Sequence, residues 1–154
     1  MGKLGINPFM DVYLCVRDQH APGMLLLSAA VAMLAAISAV LALRRSRVET
    51  RREARARRYA WAATGGLALG IGGWAAHNVA LLGYTAGIAI TFHVACTLAA
   101  LLVFAATATA ATLTLVRHPT RGGLVAASLL HGGGLAVMHY LGMAAINLPL
   151  SIRW

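Results

Sequence analysis

Four apolar runs, each long enough to cross a bilayer, and a block of arginines between the first two decide what this chain can become. The runs cover residues 23–43, 59–82, 86–116 and 122–148. A helix of about 20 residues spans about 30 Å of hydrocarbon. The third run exceeds that length, so it tilts or lends its first residues to a loop. Hydrophobic residues make up 60% of the chain and charged residues 11%, a balance that no single water-soluble core accommodates. The predicted fold is all-α: a polytopic membrane protein, a four-transmembrane-helix bundle forming one membrane domain over 1–154. Residues 1–22 form an outer N-terminal segment, and 44–58 and 117–121 form loops.

The distribution of charge sets the expected orientation. The net charge is +9, and eight of the thirteen basic residues fall between Arg44 and Arg58. The loop at 117–121 adds two arginines and His118, whereas 82–89 carries no charge. Basic loops stay in the cytoplasm, so both termini are expected outside. Anionic lipid headgroups suit the arginine block, and a nucleic-acid partner is not expected. Tyr59 and Trp61 mark the inner interface, Tyr84 and Tyr140 the outer one. The first apolar run begins near Gly23 and ends in arginines, the pattern of a retained helix rather than a cleaved leader. Two cysteines, Cys15 and Cys96, are too few for a disulfide scaffold.

No Asp or Glu lies inside any apolar run, which removes the carboxylate relay of ion-coupled transporters. The polar groups left are His, Met and Cys. At about 1.5 Å per residue, His77 lies about 28 Å from Arg58 and His139 about 27 Å from Arg121. His93 and His20 lie about 36 Å from Arg117 and Arg44 if the chain is fully helical. Each helix thus brings one histidine to the outer layer, near Met24, Met138, Met143 and Cys96. His93 and Cys96 share a helical face, as do His139 and Met143. The candidate ligands are His20, His77, His93, His139, Met138 and Met143, with Cys15 and Cys96 as further donors. Imidazole, thioether and thiolate suit copper, and zinc is an alternative. Two facing histidines, His77 and His139, suit haem b instead. The plain alternative is that each histidine is solvated or bonded between helices. His131 lies about 15 Å from Arg121, near the midplane, among glycines that suggest tight packing. His118 reads as a solvated loop residue.

The stretch Gly134-Leu-Ala-Val-Met138-His139-Tyr140-Leu141-Gly142-Met143-Ala144-Ala145 resembles the signature of the MHYT domain, a bacterial integral-membrane sensor domain built from internal repeats. Residues 70–82, around His77, are similar to a looser copy, and Cys15 to His20 are similar to the family's opening. Leu141, Ala76, Leu81 and Asn78 depart from the pattern. The resemblance implies a non-enzymatic sensor in the bacterial cytoplasmic (inner) membrane. It would bind a metal, copper foremost, through His20, His77, His139, Met138 and Met143. It also implies a homo-oligomer or a separate signalling partner. Two rivals stand beside it: a haem-b redox or electron-transfer subunit, and a cofactor-free assembly subunit of a larger membrane complex. A channel or transporter ranks lower, because no charged ring or carboxylate-lined broken helix is visible.

Overall fold

The structure is a computed structural model that describes Leu14, Asp18 and residues 20–48, 54–84 and 91–147. Four long helices account for most of these residues: α1 (Pro22–Val48), α2 (Arg55–Leu82), α3 (Val94–Arg117) and α4 (Arg121–Ala144). Two short strands, β1 (Thr91–Phe92) and β2 (Ile146–Asn147), flank the second helix pair. Three helices, α1, α3 and α4, are long and apolar enough to cross a membrane. Their outer faces carry large bare side chains, among them Leu26, Leu34, Leu102 and Leu129. Hydrocarbon is the solvent that tolerates such surface over whole helix faces. The described chain is therefore a helical membrane protein.

The helices extend beyond the apolar runs that define them. Helix α1 continues past Leu43 through Arg44, Arg45 and Arg47, and α2 begins with Arg55, Arg57 and Arg58. Arginine is a good helix former, so the charged ends propagate the helix into the headgroup region. The third apolar run becomes helical only at Val94, with His93 extended as its N-cap. Thr120 begins α4: its hydroxyl accepts from the Gly123 amide at 3.2 Å.

Contacts run mainly between neighbours in sequence: α1 with α2, α2 with α3, and α3 with α4. No comparable interface joins α1 to α4 among the described residues. The seams are made of small residues, as expected where lipid supplies no hydrophobic drive and close packing must do the work. Gly65 faces Ala39 and Ala42 of α1, and Gly72 faces Ala35. On another face of α2, Gly66 and Gly70 lie on the backbone of Thr109 and Ala105 in α3. A Cβ at Gly70 would stand 2.5 Å from the Cα of Ala105. The GxxxG spacing is thus the α2–α3 contact itself. Hydrogen bonds cross the seams: Ser28 Oγ donates to the Ala76 carbonyl at 2.7 Å, Trp74 Nε1 to Thr97 at 3.2 Å, and Thr112 Oγ1 to Ala62 at 2.9 Å. The few large core side chains gather toward the end opposite the arginines, where Phe104 and Met138 pack with Ala100, Trp74 and Leu141.

That opposite end is closed by two backbone clasps. His20 bridges Tyr84, and the Ala21 amide donates to the Gly83 carbonyl at 2.8 Å, tying the start of α1 to the end of α2. Strand β1 pairs antiparallel with β2, matching Thr91 with Asn147 and Phe92 with Ile146. The His93 amide then donates to Ala145 at 2.7 Å. The second helix pair is therefore tied in the same manner as the first.

Candidate functional site

The histidines at the clasped end separate into distinct environments. His77 and His139 meet, with ring centroids 5.2 Å apart in an edge arrangement. His77 Nε2 is buried without a partner, close to Gly142, where a Cβ would approach it to 2.8 Å. His139 also lies against Tyr140, centroids 5.7 Å apart. His20 packs on Tyr84 instead, at 5.2 Å. His93 serves as the exposed cap of α3. Met138 is a core residue only 1% exposed, whereas Met143 is 47% exposed. Cys96 is a half-buried free thiol, and Cys15 lies outside the described residues. Among the described residues no group of three or more His, Cys, Asp or Glu is arranged to hold a metal ion.

The other end of the helices holds a cavity of about 470 Å³. Arg47 of α1, Arg58 of α2, and His118 and Thr120 of the α3–α4 turn supply its polar wall, and Leu43, Leu115 and Leu124 its floor. Local sequence explains each placement. Arginine ends on α1 and α2 project from helices that small residues hold close together. His118 and Pro119 stop α3, since proline cannot continue a helix. The turn is tightened by the Thr120 amide, which donates to the His118 carbonyl at 2.8 Å, and by Gly123, which packs against that carbonyl. Arg58 Nη2 donates to the Val116 carbonyl at 2.8 Å, fixing the guanidinium at the C-terminal end of α3, while its Nε is buried without a partner. The guanidinium of Arg117 lies 5.5 Å from the Tyr59 ring centroid, held by cation–π attraction.

Positive charge predominates among the described residues at this end. The chain's four acidic residues, Asp11, Asp18, Glu49 and Glu53, all precede Ala54, and among the described residues that line the cavity none is acidic. Arg44, Arg45, Arg47, Arg55, Arg57, Arg58, Arg117 and Arg121 lie at this end of the four helices. The positive end of the α4 dipole opens at Thr120 beside the cavity. An anion about 4 Å from one guanidinium near a protein surface gains about 4 kcal/mol before screening. Sequence reasoning assigned these arginines to a cytoplasmic loop and His118 to solvent, and so missed that they wall a cavity. The available signal was the clustering of arginines at these helix ends with no Asp or Glu after Glu53.

These features define a class: a helical membrane protein with an arginine-lined cavity at one end of its helices. The family model described as voltage gated chloride channel matches residues 4–152, and the chain belongs to that family. A curated relative, the cyclic di-GMP phosphodiesterase NbdA of Pseudomonas aeruginosa, is 33% identical over 146 residues. The match covers 94% of this chain and 18% of that protein, so the chain spans less than a fifth of the relative's length. No solved structure matches.

The family match corrects two expectations. Assignment to the MHYT domain does not hold, and with it goes the copper-binding sensor through His20, His77, His93, His139, Met138 and Met143. The Met-His-Tyr stretch is short and made of residue types that also pack helices: Met138 fills the core while His139 and Tyr140 line an exposed face. The low rank given to a channel is corrected as well. It rested on missing carboxylates, which matter for cations and proton relays. An anion is held by arginines, N–H groups and helix N-termini, and the chain has all of these.

Proposed function

We propose that this chain is an anion-permeation module of a chloride channel or transporter. It crosses a bacterial cytoplasmic membrane four times with its arginine-rich end in the cytoplasm. In this reading α2 is the fourth crossing, supported by its packing against α1 and α3. The observation that carries the reading is the cavity at the basic end, whose described lining includes Arg47, Arg58, His118 and Thr120 and no acidic residue. A mouth rich in arginine raises the local concentration of anions and speeds their entry. Membership of the chloride channel family supports the choice of ion.

A permeation path within hydrocarbon must be walled by protein or water on every side. The helices lie in sequence order, without an α1–α4 interface comparable to the others among the described residues. A second copy of the chain is the wall we propose for that side. Cross-linking in native membranes should then trap a dimer.

The test is chloride efflux from vesicles reconstituted with the purified chain. Efflux above that of protein-free vesicles is expected, slowed by Arg58→Gln. Efflux equal to the protein-free control, with folded protein present in the vesicles, would overturn the reading.

A further inference from the structure

A groove of about 210 Å³ adjoins the arginine-lined cavity, and the two share Leu43, Leu115 and Leu124. On α2 the groove reaches Leu69, about 16 Å along the helix from Arg58. On α4 it reaches His131, about 15 Å from Arg121. That depth is the hydrocarbon of one leaflet, half of about 30 Å. The base of the groove is recessed because Ala108, Ala111 and Ala127 are small and buried. Its side is open: Leu124 and Ser128 are exposed, and among the described residues no α1–α4 interface covers them. A strip of apolar surface thus runs from the arginines to mid-membrane and faces lipid.

Each property bears on the occupant. Spread over about 15 Å, the volume is too slim for a helix about 10 Å across, whereas an extended hydrocarbon chain lies along it. The Thr112 hydroxyl within the groove asks for no polar guest, since it is engaged by the Ala62 and Thr109 carbonyls, each at 2.9 Å. The basic end does ask for one. Arg58 Nη2 bonds the Val116 carbonyl, but its Nε is buried without a partner, and buried donors are normally satisfied. The Thr120 hydroxyl accepts from the Gly123 amide and keeps its own proton to donate. Guanidinium groups such as those of Arg47 and Arg58 match phosphate with paired N–H donors. A free anion suits the cavity alone. A phosphate joined to acyl chains suits the cavity and the groove together.

We infer that cavity and groove form one binding site for an anionic phospholipid of the leaflet on the arginine side. Its phosphate sits at Arg47, Arg58 and Thr120, and one acyl chain follows the groove to the level of His131. Basic pockets between transmembrane helices hold anionic headgroups in this way. The site is distinct from the diffuse attraction of an arginine block for acidic lipid, because it takes one molecule per chain. It stands whether or not ions pass; in a conducting chain, headgroup and free anion compete for the same arginines. The second copy proposed for the α1–α4 side would cover this lipid rather than fill the groove.

The experiment counts bound lipid. The purified full chain, delipidated in mild detergent, is titrated with phosphatidylglycerol or phosphatidylethanolamine and followed by native mass spectrometry. One phosphatidylglycerol per chain should bind about tenfold or more tighter than phosphatidylethanolamine. Arg47→Gln should weaken that binding about tenfold, and Arg47→Lys, which keeps the charge, by less. Ser128→Phe adds bulk to the groove from an exposed position and should weaken it too. Leu129→Phe, on the bare surface outside the groove, should not. Soluble glycerol 3-phosphate at equal concentration carries the phosphate without the chains and should leave the lipid in place. Equal affinity for the two lipids would overturn the site, as would equal effects of Ser128→Phe and Leu129→Phe. Displacement by glycerol 3-phosphate would reduce it to a free-phosphate site and sink the lipid assignment.

Discussion

Replacing Gly70 by alanine should destabilise the protein, while the same change at Gly132 should not. At Gly70 the new Cβ would stand 2.5 Å from the Ala105 Cα, 2.9 Å from the Phe104 carbonyl oxygen and 3.0 Å from the Ala105 nitrogen. Carbon atoms prefer about 3.5–4.0 Å, so α2 and α3 would have to part by about 1 Å. The obstacle is backbone, which cannot turn aside as a flexible side chain can. Overpacking of this kind costs about 1–3 kcal/mol. At Gly132 nothing lies within 4 Å of the added carbon. Both substitutions gain the same helix propensity, about 1 kcal/mol in water, so that term cancels between them. Gly70→Ala should therefore fall below Gly132→Ala by about 1–3 kcal/mol. Reversible unfolding in mixed detergent micelles, followed by tryptophan fluorescence, measures the difference. Equal stability of the two variants would refute the claim that the α2–α3 seam is a backbone-to-backbone contact.

Other substitutions probe separate parts of the structure. Phe104→Ala should cost about 3–5 kcal/mol, because it empties the centre of the cluster formed with Met138, Ala100, Trp74 and Leu141; the same unfolding assay reads it. Thr120→Ala removes the cap of α4 and should cost about 1 kcal/mol, seen as faster amide exchange confined to the first turn of that helix. Arg47→Gln should slow chloride efflux more at low than at physiological salt, since the Debye length shortens to about 8 Å at 0.15 M. An effect independent of ionic strength would remove Arg47 from the mouth. Trp74→Phe breaks the bond to the Thr97 carbonyl and should cost about 1 kcal/mol, checked against a Thr97→Ala control that leaves that carbonyl in place.

Much of the architecture could be read from hydrophobic run length and arginine placement, because both follow from the bilayer as solvent. The four apolar runs mark the four helices, and Gly66 and Gly70 mark the α2–α3 seam. Helix ends were less legible. Arg44, Arg45 and Arg47 read as loop because they end the apolar run, yet arginine does not end a helix. His93 read as part of a long third run, yet it is extended because its amide is taken by Ala145 of a distant segment. Depth along the helix axis put His77, His139, His20 and His93 in one layer, but depth does not fix rotation or neighbour. Only His77 and His139, on helices that both lie against α3, come ring to ring. The basic cavity was hidden for the same reason. Arg47, Arg58 and His118 are far apart in sequence, and they converge only when the small residues between α1, α2 and α3 bring the helix ends together.

The two backbone clasps bear on how such a chain enters a membrane. Each joins the entry of one helix to the exit of the next, so each helix pair can satisfy its exposed end groups before the other pair exists. Insertion can then proceed in two steps, as finished halves delivered one after the other. What remains is a lateral docking along the glycine and threonine seam. Slow docking there would leave a half-built but chemically quiet intermediate, whose exposed edge is a groove of small residues rather than unpaired backbone.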